Sequence, residues 1–169
     1  MIKAIIWDLD DTLLDTTRLL IPIARTPAFE DRIRRPLPLL EGACENLTTL
    51  SHRYLCFLLT YGRIEAQKQK LESLGIRPFF RACYFVDPLK KETKASYFEK
   101  IPFEWGLNPS EVLSIGNRRS TDIGEAKEKG LQTCLFHYGE HEDEPKLRPE
   151  DEPDFEIFEH RELIRTCQL

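Results

Sequence analysis

A chain of 169 residues with 41% hydrophobic and 31% charged side chains has the size and balance of one soluble globular domain with a substantial core. A net charge of −5 argues against a nucleic-acid scaffold. With no basic-then-apolar opening segment and no long apolar span, neither a membrane protein nor a secreted one is expected, and a cytoplasmic location is.

The first predicted element is a strand over residues 2–7, Ile-Lys-Ala-Ile-Ile-Trp, whose nearly continuous apolar character suits burial on both faces of a parallel sheet. It runs straight into Asp8-Leu9-Asp10-Asp11-Thr12. Alternate residues of an extended segment share a face, so Asp8 and Asp10 should project together while Leu9 returns to the core. The C-terminal end of such a strand is where α/β sheets bind ligands. A carboxylate there can attack phosphorus, and its neighbour can exchange protons with the leaving group and with water. Taken alone, the same residues also suit an acidic turn that solvates a strand end.

Only about twenty residues, 16–35, separate this loop from the next predicted helix, 39–52. A strand over 54–59 then ends in Thr60-Tyr61-Gly62, and a helix over 64–75 is closed by Gly75. Strand 82–86 leads into Lys90-Lys91-Glu92-Thr93-Lys94, with Thr93 as the N-cap of a helix over 94–105. Strand 112–115 leads into Gly116-Asn117-Arg118-Arg119-Ser120-Thr121-Asp122 and a helix over 121–129 closed by Gly130. Strands at 132–136 and 155–158 flank an acidic, proline-bearing stretch, 139–153, read as a surface loop, and a short helix is expected over 160–166. Strands alternating with helices predict right-handed βαβ units. The expected fold is α/β, a three-layer doubly wound, Rossmann-like parallel sheet forming one domain over residues 1–169.

Four strands thus end, in order, in carboxylates, a hydroxyl, a lysine cluster and a loop of metal-ligand type. That series resembles the haloacid dehalogenase (HAD) superfamily of aspartate-nucleophile phosphatases over roughly residues 2–136. Asp8, Asp10 and Thr12 match D-x-D-x-T, Thr60 matches the second motif, Lys91 matches the third by its distance from the helix start, and Gly116 to Asp122 match the fourth. The resemblance implies a Mg²⁺-dependent phosphatase acting on a phosphate monoester through an aspartyl-phosphate. Asp8 would be the nucleophile, Asp10 the acid and base, and Thr60 and Lys91 the phosphate contacts, with Lys90 and Lys94 as substitutes for Lys91. The metal ligands implied are Asp8, Asp122, the main-chain carbonyl of Asp10, and Asn117.

Asn117 stands where the family usually has Asp. An amide oxygen brings no charge, so weaker metal binding is expected, and a catalytically weakened or non-enzymatic regulatory and binding protein is the alternative. A phosphotransferase is a further one. The short stretch 16–35 implies a minimal cap and an open site, fit for a small phosphorylated molecule or a macromolecule's phosphorylated end, or for a lid supplied by a homo-oligomer. Within it, Leu19-Leu20-Ile21-Pro22-Ile23 is expected to pack on the domain, with the inner face of a lid or an oligomer contact as alternatives. Arg118 and Arg119 suit a second anionic group on the substrate or salt bridges with residues 140–144. The histidines, His52, His137, His141 and His160, form no usable set and are expected to be structural. Five scattered cysteines, Cys44, Cys56, Cys83, Cys134 and Cys167, lack C-x-x-C spacing and read as core residues rather than disulfide or zinc ligands.

Overall fold

The computed structural model describes residues 1–169. Six strands, β1 (Ala4–Trp7), β2 (Leu55–Tyr61), β3 (Ala82–Val86), β4 (Val112–Gly116), β5 (Gln132–Phe136) and β6 (Phe155–Ile157), form one sheet in the order β3-β2-β1-β4-β5-β6. Every pairing is parallel. The helices are α1 (Thr16–Leu19), α2 (Pro27–Ile33), α3 (Ala43–Ser51), α4 (Ile64–Leu74), α5 (Lys94–Glu104), α6 (Ala126–Glu128) and α7 (Leu163–Thr166). The doubly wound α/β expectation is borne out.

Strand alternation sorts the core into two layers. Ile5, Trp7, Cys56, Leu58, Leu113, Ile115, Cys134 and Phe136 face α3, α4 and α7 through Leu47, Leu50, Leu71 and Leu163. Ala4, Ile6, Phe57, Leu59 and Val112 face the other way, onto Phe98 and Ile101 of α5 and Ala126 of α6. The central strands are covered on both sides, which is why their sequences are nearly unbroken apolar runs. The order of strands reverses between β1 and β4, so a crevice opens beyond their C-terminal ends. All five cysteines are free thiols.

Several boundaries differ from the sequence expectation, each for a local reason. Helix α3 begins at Ala43 because Gly42 adopts φ +79 and Leu39 is drawn into a bridge with Leu14. The expected helix 121–129 is split into a π-helical turn, Arg119–Glu125, followed by α6. Strand β2 continues to Tyr61, so Thr60 lies within it, paired with Phe85. The stretch 139–153 lies on the surface, as expected, but is pinned to the domain: Asp151 is buried and accepts hydrogen bonds from Leu147 N, Arg148 N and the Arg148 guanidinium. Residues 16–35 form α1, a 3₁₀ turn at Ile21–Ile23, and α2. Leu20 and Ile33 pack there with Leu14, Leu37 and Ala66 of α4, as expected for a segment that lies on the domain. No helix is long and apolar enough to cross a membrane.

Candidate active site

Beyond the β1/β4 crevice lies a cavity of about 440 Å³ with a single hydrophobic lining residue, Tyr61. Its wall carries seven carboxylates, Asp8, Asp10, Asp11, Glu92, Asp122, Glu125 and Glu140, against the permanent cations Lys94 and Arg118. So acidic a cavity repels a phosphate unless positive charge enters with it.

Asp8 leaves β1 with its amide donating to Ile115 O at 2.9 Å, which ties the first loop to β4. Leu9 turns into the core while Asp8 and Asp10 face the cavity, the alternation expected of an extended strand end. The two carboxylates meet opposite surroundings. Asp8 Oδ1 accepts from Lys94 Nζ at 2.6 Å, and Oδ2 has only the Thr12 hydroxyl, at 3.5 Å. Burial, reinforced by Asp122 and Asp10 and opposed by Lys94, pushes the Asp8 carboxyl up to about 7.

Asp10 is saturated. Lys70 Nζ donates to Oδ1 at 2.7 Å, Gln67 Nε2 to Oδ2 at 2.7 Å, and the Thr16 hydroxyl also donates to Oδ1. Burial alone would raise this carboxyl; Lys70, with the hydroxyl and amide donors, outweighs it and holds Asp10 below the ordinary carboxylate range. Gln67 and Lys70 lie on the buried face of α4 between Ala66 and Leu71. Neither was singled out from sequence, although polar residues at core-facing positions of an amphipathic helix were the available signal.

Thr60 is buried, its Oγ1 accepting from Gln67 Nε2 at 2.7 Å. It lies behind Gln67 and Asp10, and the cavity wall does not include it.

The lysine assignment is corrected. Lys91 caps a 3₁₀ turn with φ +55 and is exposed, so its side chain leaves the site. Lys94 opens α5, is buried, and bridges Asp8 Oδ1 and Asp122 Oδ1, the latter at 2.5 Å. Lys90, like Lys91, is exposed. Thr93 is the N-cap position, as expected, but the first turn of α5 is capped by Glu125, whose Oε2 accepts from Ala95 N at 2.6 Å. Burial raises the Glu125 carboxyl.

In the fourth loop, Asp122 Oδ2 accepts from Arg118 N at 3.0 Å, and the Ser114 hydroxyl donates to Asp122 O. Gly116 is required here because a Cβ would run into the Asp122 side chain. Asn117 Nδ2 donates to Tyr138 O at 3.1 Å, which leaves Oδ1 as the atom without a protein partner on a side chain that lines the cavity. Arg118 lines the cavity and pairs with Glu144 at 3.5 Å, whereas Arg119 turns away to Asp151 O and Glu156. Glu144 also receives Ser120 N and Oγ, and Arg148 donates to Ser120 O. The pinned stretch 139–153 therefore holds the fourth loop in place.

The donor set suits a hard cation. Asp8, Asp122 and the oriented Asn117 oxygen share one cavity rich in excess carboxylate, and Mg²⁺ takes oxygen ligands with one or two carboxylates among them.

A family model described as HAD-hydrolase-like matches residues 91–162. The chain is 31% identical over 107 residues to a glyceraldehyde 3-phosphate phosphatase of Methanopyrus kandleri, covering 63% of this chain and 46% of that protein. The chain thus spans less than half the length of this relative. To the enzyme of the same name from Pyrococcus furiosus it is 25% identical over 226 aligned positions, covering 99% of this chain and 93% of that protein. An alignment longer than the chain itself means that this relative carries insertions the chain lacks. Among solved structures, the putative hydrolase YfnB of Bacillus subtilis, bound to magnesium, superposes with a TM-score of 0.71 at 21% identity, covering 97% of each chain.

Proposed function

We propose that the chain is a hydrolase of the haloacid dehalogenase type, a reading supported by its HAD-hydrolase-like match over residues 91–162 and by its phosphatase relatives, and that it is a magnesium-dependent phosphatase that hydrolyses a phosphate monoester through a phospho-Asp8 intermediate. The observation that carries this reading is the asymmetric Asp8 carboxylate, with Oδ1 held by Lys94 and Oδ2 exposed to the cavity. Such a carboxylate has one oxygen oriented and one free to attack phosphorus.

Asp8, Asp122, Asn117 Oδ1 and the main-chain carbonyl of Asp10 would hold Mg²⁺. When bound, the ion supplies the positive charge that lets a phosphate approach a carboxylate nucleophile. Lys94 neutralises Asp8 and Asp122 and orients the attacking group. In the first half-reaction Asp8 Oδ2 bonds to phosphorus, the ester P–O bond breaks, and the leaving oxygen takes a proton from water in the open cavity, since Asp10 is held ionised. In the second, water attacks the phosphoryl group, loses a proton to a base, and restores the Asp8 carboxylate. Asp10, held ionised by Lys70, is set for the basic role. Thr60 and Gln67 orient Asp10 from behind.

The substrate we propose is a small polar phosphate ester. The hydroxyls of Thr16, Thr93, Thr121 and Tyr61 on the cavity wall support this, as do relatives named for a three-carbon phosphate. The segment 16–35 stands in place of a cap, reduced to two short helices. Phosphate release from a panel of phosphorylated metabolites, with and without Mg²⁺, tests the proposal. Release that is absent for every ester, or that persists undiminished in Asp8→Asn, overturns it.

A further inference from the structure

The last turn of the chain reaches back to the nucleophile loop. His160 opens the 3₁₀ turn His160–Glu162 and is buried between Phe136 and Trp7, ring centroids 4.8 and 6.4 Å away. Its Nε2 lies 2.7 Å from Thr12 O, 148 residues distant in sequence. A carbonyl only accepts, so Nε2 carries the proton and Nδ1 is an acceptor. The complementary donor is present: Asn46 Nδ2, on α3, lies 3.2 Å from Nδ1 and 2.7 Å from His160 O. One amide thus sets both the tautomer and the backbone position of His160. Gly42 makes room, since a Cβ there would stand 2.9 Å from His160 Cβ.

We infer that His160, locked by Asn46, is a positioning residue for the Asp8–Thr12 loop. The proposal rests on the reading of Asp8 as nucleophile. The peptide between Thr12 and Leu13 is held at both ends, its carbonyl by His160 and its N–H by Leu9 O at 2.9 Å. The hydroxyl of the same Thr12 is the one protein donor to Asp8 Oδ2. Movement of the Thr12 peptide therefore moves the group beside the attacking oxygen, and small displacements of a reacting group cost rate rather than substrate affinity. Any buried histidine needs both ring nitrogens satisfied, so the distinction lies in the consequence of removing it: a histidine that only filled the core would change stability and leave kcat and loop exchange as they were.

Two variants separate these roles in the full chain with Mg²⁺ and p-nitrophenyl phosphate. His160→Leu keeps bulk and removes the donor; His160→Gln keeps an N–H near the Nε2 position. The leucine variant should lower kcat about tenfold or more with KM within about twofold, and should speed amide exchange at Asp11, Leu13 and Leu14 while leaving β4 amides protected. The glutamine variant should recover both. If kcat and loop exchange are unchanged in the leucine variant, or if glutamine falls as far as leucine, positioning through the Thr12 carbonyl is overturned. If the leucine variant does not fold, Asn46→Ala, which keeps the ring and releases its lock, must show the same loss of kcat and loop protection for the inference to stand. A wild-type protein without turnover overturns the phosphatase reading instead, and the exchange comparison then still decides whether His160 braces the loop.

Discussion

Asp8 and Asp10 stand two residues apart on one loop, yet their surroundings are opposite. Asp8 has one strong donor, Lys94, which it shares with Asp122, and its carboxyl is pushed up to about 7, mainly by burial. Asp10 receives Lys70, Gln67 and Thr16, and its carboxyl is held low despite burial. Pairs of titratable groups whose environments drive them apart mark divided roles. The donor-poor carboxylate is the one that gains from an added cation and has an oxygen free to react; the donor-rich one stays ionised without help.

The largest break in that contrast is loss of Asp8 itself. Asp8→Asn should lower phosphate release by roughly a thousandfold or more, measured as kcat with Mg²⁺, because an amide cannot attack phosphorus and the neighbouring Asp10 is tied up by Lys70, Gln67 and Thr16. The same substitution has a signature in stability. Asp8 keeps its proton in the folded metal-free protein up to about 7, against 3.8 when unfolded. The stability it contributes is full below the lower value, declines as pH rises, and is gone above the higher one. Melting of the metal-free protein should therefore fall across that window, and Asp8→Asn should flatten the decline. Added Mg²⁺ should raise the midpoint more at pH 8 than at pH 5.

Next in size is Lys94. Lys94→Met leaves two buried carboxylates facing each other without their cation, and kcat should drop about a hundredfold. The unfolding midpoint should also fall, with part of it restored by Mg²⁺. Lys91→Met, three residues away on an exposed turn, should change kcat by less than about twofold. Equal losses in the two variants would contradict the placement of Lys94 at Asp8.

Lys70 tests the other half of the comparison. Lys70→Met removes the main counterweight to burial at Asp10, so its carboxyl should rise. If Asp10 must be ionised to activate water, the acidic limb of the pH–rate profile moves upward, with a loss of about tenfold at pH 6 and little at pH 8. An unmoved limb would detach Asp10 from the basic role.

What was legible in the sequence follows the same division. The strands were readable because the central ones are buried on both faces, and β3 and β5 begin and end where the sequence places them. The acidic loops were readable because their residues follow strand ends directly. Lys91 was misplaced because which lysine of the cluster turns inward depends on the left-handed turn at Lys91 and on the helical phase after Thr93, neither of which spacing alone encodes. Gln67 and Lys70 left a signal in the sequence, as polar residues on the core-facing side of α4, but its meaning depends on Asp10 lying opposite. His160 is the extreme case, since its partners Asn46 and Thr12 come from two distant segments. The short helices of residues 16–35 draw their stability from packing on Leu14, Leu37 and Ala66, not from local pattern.

Asn117 gives the smallest and most discriminating test. Aspartate at this position would add charge beside Asp8 and Asp122, which should tighten the half-saturating Mg²⁺ concentration by about tenfold, or ~1.4 kcal/mol. The same change removes the donor to Tyr138 O and sets two oxygens against each other where Nδ2 now bonds at 3.1 Å. A part-buried acceptor left without its donor costs up to about 1–3 kcal/mol, so the metal-free Asn117→Asp protein should melt at a lower temperature. The two effects have opposite signs and separate readouts, metal titration of activity and melting without metal. Tighter magnesium with a lower melting point places Asn117 both at the cation and under Tyr138. Weaker magnesium would move Asn117 off the metal, and leave its anchoring of the β5 loop as the sole reason for an amide at this position.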